Sequence, residues 1–322
     1  MNSAPPPAVR PGSQGLRLAV RAADDDGERP TGRRLHRFAA APGVDLHVRE
    51  YPATAGAESR TLLLVHGAFE HGELYDHAAR RFAARGWRVL LPDLRGHGRS
   101  GGHEMHVRRF AEYVADLRGV LHEFGADPAR TALVGNSMGG LATARLVQNA
   151  DGGGPAPAAV AALCSPLLRI VTPVPPHTLI AGKLCRLLRP KARFDVPQDP
   201  DDPVAAARPH DPLRRTTVTA SWFFAVRRAV KAVWKDAARI ETPLHVMQSG
   251  ADRVVCPLAP AVWINAVGAE DRSCEVLPGA NHEVFQEPTW RRHADRLADW
   301  FDLYVPAAER ADGAAPAVRR AA

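Results

Sequence analysis

The sequence predicts an α/β fold in which helices cover both faces of a mostly parallel central sheet, with a helical lid inserted late in the chain. Three observations lead there. Short apolar runs alternate with stretches of helical period along most of the 322 residues, the pattern of a parallel sheet built from strand–helix units. Several of those runs are continuously apolar, as strands buried on both faces are. The alternation lapses once, between about Pro166 and Arg239, where prolines and two helical segments take over. Hydrophobic residues make up 45% of the chain, enough for a sizeable core.

The elements follow in order. "VDLHVREY" (Val44–Tyr51) alternates apolar and polar residues, as a half-buried strand does. "RTLLLVHG" is a buried strand ending in glycine, and "DHAARRFAARG" a helix closed by Gly86 at its C-cap. "WRVLLPDLRGHG" is a second buried strand, stopped by Pro92 and the glycines after it. Phe110, Val114, Leu117 and Leu121 set a helical period that ends at Gly125. "RTALVG", "MGGLATARLVQNA" and "AVAALCS" read as strand, helix and strand. Inside the insertion, "TLIAGKLCRLL" and "TTVTASWFFAVRRAVKAVWKD" are helical, without clear strands. "TPLHVMQSG" and "SCEVLPG" are two further strands, each followed by a helix-forming segment. The core is thus expected from residues 35–165 and 240–305, around a helical cap at 166–239. Residues 1–34 and 306–322, rich in Pro, Ala, Gly and charge, are expected to be disordered tails.

No apolar run approaches the roughly 18 residues of a membrane span, and the N-terminal stretch lacks the apolar centre of a signal peptide. Cys164, Cys185, Cys256 and Cys274 form neither a C-x-x-C pair nor a zinc-finger spacing with histidine. They read as reduced thiols of a cytoplasmic protein. The net charge is +7, and its distribution is regional. Between Ser165 and Arg239 there are 14 Lys and Arg against 6 Asp and Glu, including all four lysines, while the remainder is close to neutral. This basic window is broken by prolines and carries no recognisable nucleic-acid-binding fold, so nucleic acid is not expected as a partner.

The chemistry centres on "TALVGNSMGGLATARLV" (Thr131–Val147), a G-x-S-x-G pattern where a buried strand turns into a helix. Ser137 reads either as a helix N-cap or as a nucleophile thrust out by a sharp turn. Gly135 and Gly139 suit the second reading, because such a bend brings backbone close where a Cβ clashes. The helix that follows aims its N-terminal N–H groups at developing negative charge. A serine hydroxyl needs a base, and in this arrangement a carboxylate and then a histidine follow, each just after a strand. Asp252 in "HVMQSGADRVV" and His282 in "SCEVLPGANHEVF" hold those positions in that order. Glu241 precedes its strand and falls at the wrong end, and His293 sits in the helical run "WRRHADRLADWF" and reads as a surface residue. His66-Gly67-Ala68 ends an early strand and offers a backbone N–H for an oxyanion hole. "PDLRGHGRSGG" lacks the Lys-Ser/Thr of a phosphate loop, so Asp93 to Gly102 reads as a loop shaping the site.

The stretches "HGAFEHGELYDHAARRFAARGWRVLLPDLRGHGRSGG", "GNSMGG", "SPLL", "SGADRVV" and "GANHEVFQEP" together resemble the α/β-hydrolase superfamily. Within it they resemble the monoacylglycerol lipase and lysophospholipase group, also grouped with serine aminopeptidases. The resemblance runs from about His36 to Tyr304 and is weakest through the insertion. It implies Ser137 as nucleophile, Asp252 as acid, His282 as base, and Ala68 and Met138 as oxyanion-hole donors. The family more often has histidine where this chain has Asn136.

The expected activity is therefore ester hydrolysis through an acyl-enzyme, on monoacylglycerols or lysophospholipids, with no metal or organic cofactor. A short-chain carboxylesterase or aminopeptidase-like hydrolase is the alternative enzyme, and a non-catalytic small-molecule receptor that retains the fold is the alternative of a different class. The insertion's apolar faces (Leu179, Ile180, Leu184, Leu187, Leu188; Trp222, Phe223, Val226, Val230) either pack on the sheet domain or form an acyl-chain tunnel under a basic cap. Such a cap suits peripheral contact with an anionic membrane surface.

Overall fold

The computed structural model describes residues 32–54, 60–171, 175–196 and 210–307. Most of the two expected tails lies outside them. In chain order the main elements are β1 (Arg34–Ala41), β2 (Val44–Tyr51), β3 (Thr61–Val65), α1 (Asp76–Ala84), β4 (Arg88–Pro92), α2 (Ala111–Glu123), β5 (Thr131–Asn136), α3 (Met138–Val147) and β6 (Val160–Cys164). Next come α4 (Pro176–Leu188), β7 (Arg193–Asp195), β8 (Thr217–Thr219) and α5 (Ala220–Lys235). The chain then forms β9 (Leu244–Ser249), α6 (Ala259–Trp263), β10 (Arg272–Leu277) and α7 (Trp290–Asp302).

Eight strands pair in the order β1-β2-β4-β3-β5-β6-β9-β10. The β1–β2 and β2–β4 pairs are antiparallel, and every pair from β4 to β10 is parallel. The sheet is buried on both faces, and β3 shows how. Leu63 and Val65 join the apolar cluster with Val114, Leu117, Leu141 and Val226 on one face. Leu62 and Leu64 join the opposite cluster with Phe82, Trp87, Leu297 and Phe301. A period of two places successive side chains on opposite faces, so a strand clad by helices on both sides needs apolar residues throughout. Each such fully buried side chain contributes about 1.5–3 kcal/mol. The mostly parallel sheet with helices on both faces is therefore as the sequence predicts.

Two features depart from expectation. Arg34, at the end of the expected tail, opens β1, an edge strand with a largely exposed side that carries no apolar period. The insertion also holds strands: β7 and β8 pair antiparallel from Arg193↔Thr219 to Asp195↔Thr217. Three-residue strands are too short to print a period in sequence.

The two helical segments of the insertion behave differently. In α5, Trp222, Val226, Ala229 and Val233 are buried against the core. In α4 no residue is buried, and Ile180, Leu184, Leu187 and Leu188 are 57–78% exposed. The packing reading thus holds for α5 and fails for α4.

Candidate active site

The carboxyl ends of β3, β5, β9 and β10 lie along one edge of the sheet, where ligands bind in parallel α/β folds. Ser137 follows β5 directly, at φ +52° and ψ −116°. That backbone is costly for a residue with a Cβ, on the order of 1–3 kcal/mol, and it aims the side chain away from both strand and helix. The sharp turn is feasible because its neighbours lack side chains. A Cβ on Gly135 would stand 2.3 Å from the Gly139 carbonyl oxygen, and one on Gly139 would stand 2.3 Å from that of Val65. The N-cap reading fails, since the Ser137 side chain makes no capping bond to α3.

The Ser137 hydroxyl instead meets His282. The Oγ to Nε2 distance is 2.8 Å, and His282 Nδ1 lies 2.8 Å from Asp252 Oδ2. Asp252 Oδ1 accepts from the backbone N–H groups of Val254 and Val255, both at 2.9 Å, and Oδ2 also accepts from Gln248 at 3.3 Å. With Nδ1–H donating to the carboxylate, Nε2 is left as the acceptor for the serine proton. The two loops that carry Asp252 and His282 are pinned to each other by Gly250 N–H to Leu277 O at 2.8 Å and Ala251 N–H to Ala280 O at 3.0 Å.

The loop after β3 runs beside Ser137. A Cβ on Gly67 would sit 3.3 Å from the Ser137 Cβ, so this backbone abuts the serine. His66 is fully buried, and burial pushes its pKa down to about 3. Its neutral ring accepts from the Leu94 N–H at Nε2, 2.9 Å, so Nδ1 carries the proton and donates to the Gly67 carbonyl at 2.7 Å. In a planar trans peptide the N–H points opposite the C=O, so His66 sets the direction of the Ala68 N–H. Glu70 accepts from the Gly67 N–H at 2.8 Å and from the Tyr75 hydroxyl at 2.7 Å, fixing the preceding peptide. Met138 is the first residue of α3, and its N–H is one of the orphan donors of a helix start. Neither the Ala68 nor the Met138 N–H finds an acceptor among the described residues.

Of the residues expected from sequence, the structure joins Ser137, His282 and Asp252 by hydrogen bonds, sets Met138 next to Ser137 in the chain, and brings Gly67, the residue before Ala68, against Ser137. Sequence reading missed the supporting shell. Asn136 donates to Glu283 at 3.0 Å, tying the strand before the serine to the residue after His282. Asp93 is wholly buried and accepts from Arg49 at 2.6 Å, from Gly72 N–H at 2.7 Å and from Arg99 N–H at 2.8 Å. Burial alone raises its carboxyl, but Arg49 holds it below the ordinary carboxylate range. This ties down the Asp93–Gly102 loop. Glu241 is exposed and precedes β9, away from this edge. His293 corrects the expectation of a surface residue. It is 6% exposed, on the α7 stripe with Ala294, Leu297 and Phe301, and bonds Thr289 Oγ1 at 2.9 Å. It is absorbed by that helix and takes no part in the site.

The buried histidines make stability acid-sensitive. Burial lowers His66 to about 3 and His97 to about 4, from an ordinary 6.5. Below about pH 6.5 the unfolded chain binds protons that the folded chain refuses. Stability is therefore full above that pH and is lost as the pH falls toward 4. Each histidine contributes a slope approaching ~1.4 kcal/mol per pH unit in that window. The unfolding midpoint is expected to fall steadily from pH 7 to pH 5 in a thermal scan, and a flat profile contradicts this.

Comparison with known proteins agrees with this architecture. The model of a family described as serine aminopeptidase, S33, matches residues 56–289. A monoacylglycerol lipase of Mycolicibacterium smegmatis is 30% identical over 275 residues, covering 82% of this chain and 95% of the relative. Phospholipase YtpA of Bacillus subtilis is 26% identical over 233 residues, covering 70% of this chain and 89% of its own length. Among solved structures, the monoacylglycerol lipase of Paleococcus ferrophilus superposes with a TM-score of 0.71 at 22% identity, covering 84% of this chain and 99% of that one. At that identity the superposition speaks for the fold.

Proposed function

The chain belongs to the serine aminopeptidase S33 family of α/β hydrolases, and from that premise we propose that it cleaves the ester bond of monoacylglycerols or lysophospholipids through an acyl-enzyme on Ser137. The observation that carries the reading is the chain of two 2.8 Å contacts from Ser137 through His282 to Asp252. His282 takes the serine proton as Oγ attacks the ester carbonyl, while Asp252 holds the ring's orientation and stabilises its cation. The Ala68 and Met138 N–H groups receive the developing oxyanion. Loss of one such donor typically costs about 3–4 kcal/mol of transition-state stabilisation. His282 then protonates the leaving alcohol and activates the water that releases the acid. Each step uses side chains and backbone of this chain.

The lipid part of the proposal rests on the insertion and on the relatives' names. The insertion reaches the oxyanion loop: the Arg215 N–H donates to Phe69 O at 3.0 Å, His71 pairs with Asp211 at 2.9 Å, and the Trp222 ring lies 5.9 Å from that of Phe69. It therefore acts as a lid over the site. The exposed Ile180, Leu184, Leu187 and Leu188 of α4 give it an apolar edge amid the chain's basic excess, which suits peripheral contact with an anionic membrane from the cytoplasmic side. Among the described residues no helix is long and apolar enough to cross a membrane.

A substrate panel tests the proposal. Monoacylglycerols, lysophosphatidylcholines, p-nitrophenyl esters of rising chain length and an aminoacyl anilide are assayed together. Turnover is expected to favour long-chain lipid esters. A maximum at acetate or butyrate points to a short-chain carboxylesterase, and cleavage of the anilide alone points to an aminopeptidase; either result replaces the lipid reading. Binding to anionic vesicles is expected to weaken as salt rises, and salt-independent or absent binding removes the membrane contact while leaving the catalysis.

A further inference from the structure

A cavity lies between α4 and the loop before α2. Its volume is about 670 Å³, and its lining includes His106, Arg108, Lys183, Arg186, Lys191 and Ser221, with no carboxylate. Many described arginines of this protein are matched by acids, as in Arg95–Asp116, Arg118–Asp151 and Arg193–Glu104. The cations of this cavity are not. Arg108, Lys183, Arg186 and Lys191 make no ion pair among the described residues.

One wall is prebuilt. The Met105 carbonyl accepts from Thr219 N–H at 3.2 Å and from Thr219 Oγ1 at 2.9 Å. The Val107 carbonyl accepts from Ser221 Oγ at 2.8 Å, and the Arg108 carbonyl accepts from Arg228 at 3.2 Å. The loop bearing His106 and Arg108 is thus clamped along the first turns of α5. Thr219 Oγ1, its proton committed to Met105, receives the His106 Nδ1–H at 3.2 Å, which fixes that ring. The facing wall is α4 and the turn after it. Like charges crowd here: burial and then Arg186 lower the neighbouring Arg228, and burial followed by His103 and Lys191 lowers His106 against the opposing pull of Glu112, whose carboxylate accepts from the Arg108 backbone N–H at 2.9 Å. Exposed cations that make no ion pair are left to turn toward an entering anion.

We propose that this cavity binds a phosphate-bearing ligand, with Arg108 on the α5 side and Lys183, Arg186 and Lys191 on the α4 side closing around a multiply charged phosphate group. Arginine offers a planar fork to phosphate oxygens and lysine a compact charge, a pairing suited to that group. The volume exceeds that of inorganic phosphate and leaves room for the rest of a small phosphorylated molecule or a lipid headgroup. The cavity's lining includes none of the residues assigned to the reaction proposed at Ser137.

Calorimetric titration of the full chain with inorganic phosphate, at ionic strength matched with chloride, is expected to show saturable binding. The exposed pair Arg108→Gln/Lys191→Gln is expected to weaken it at least about tenfold with an unchanged unfolding midpoint. Phosphatidylcholine vesicles with and without phosphatidic acid separate the two sources. Attachment that needs phosphatidic acid and is lost in the double variant assigns a headgroup. Phosphate binding without such dependence assigns a soluble phosphorylated molecule. The proposal is overturned if neither probe binds saturably, or if the double variant binds as the wild type does. No arm measures turnover, so an inert Ser137 leaves the test intact.

Discussion

Ser137→Ala is expected to lower ester hydrolysis by roughly 10⁴-fold or more and to abolish covalent labelling by a fluorophosphonate. The effect is this large because in the proposed mechanism the hydroxyl forms the acyl-enzyme. His282 Nε2 lies 2.8 Å from it, and with the oxygen gone the base has no proton to take. The fold should survive. Alanine keeps a Cβ in the same φ +52° backbone, so it neither relieves the strain of the turn nor adds to it. The backbone bonds around the turn, Ser137 N–H to Cys164 O at 2.9 Å and Leu167 N–H to Ser137 O at 3.0 Å, do not involve the side chain. An unfolding midpoint close to the wild type, with activity and labelling both gone, is the expected pair of results. Labelling that persists in the variant places the nucleophile elsewhere. A wild-type chain that neither reacts with the probe nor turns over any ester of the panel supports the receptor alternative.

The second large effect is on stability. Gly139→Ala is expected to destabilise the protein by about 3 kcal/mol or more, at the top of the range for overpacking. That corresponds to a fall of roughly 6–12 °C in unfolding midpoint for a domain of this size. The added Cβ meets the carbonyl oxygens of Val65 at 2.3 Å and His66 at 2.5 Å. Both are backbone atoms at the end of a central strand, and neither can rotate away as a side chain does. Relief requires α3 to withdraw from β3. That movement also separates Ser137 from the Ala68 peptide, so whatever protein remains folded should hydrolyse esters poorly. Scanning calorimetry of the purified variant, with activity per folded molecule, checks both parts. An unchanged midpoint shows that the helix can give way, and the close-approach account of Gly139 then fails.

How much of this was legible in the sequence depends on range. Central strands were readable because burial on both faces writes itself as an unbroken apolar run, as in Leu62 to Val65. The order Ser137, Asp252, His282 was readable because the fold places each residue just past a strand. β1 was not, because an edge strand with one side in water needs no apolar period. His293 was misread although the signal was present, since it falls on the three-and-four spacing of Ala294, Leu297 and Phe301. The second layer of the site was out of reach in principle. The bond from His66 to the Gly67 carbonyl, the Glu70 contact to Gly67 and the Asn136–Glu283 tie are set by side-chain direction and tautomer. A pattern of residue types records neither.

β6 and β9 are hydrogen-bonded neighbours, Ala161 facing Leu244, although residues 165–243 separate the two strands along the chain. The excursion between them leaves the sheet at the carboxyl end of β6 and rejoins it one strand over, at the amino end of β9. Closing a loop over such a span costs little more when it lengthens, because the entropy grows only with the logarithm of its length. The part of this segment ahead of α5 can therefore change in length and sequence while α5 stays packed in the core and the strand register holds the serine and the carboxylate in place. Grafting another family member's segment between Ile170 and Thr217, with α5 left in place, is a rational route to altered specificity.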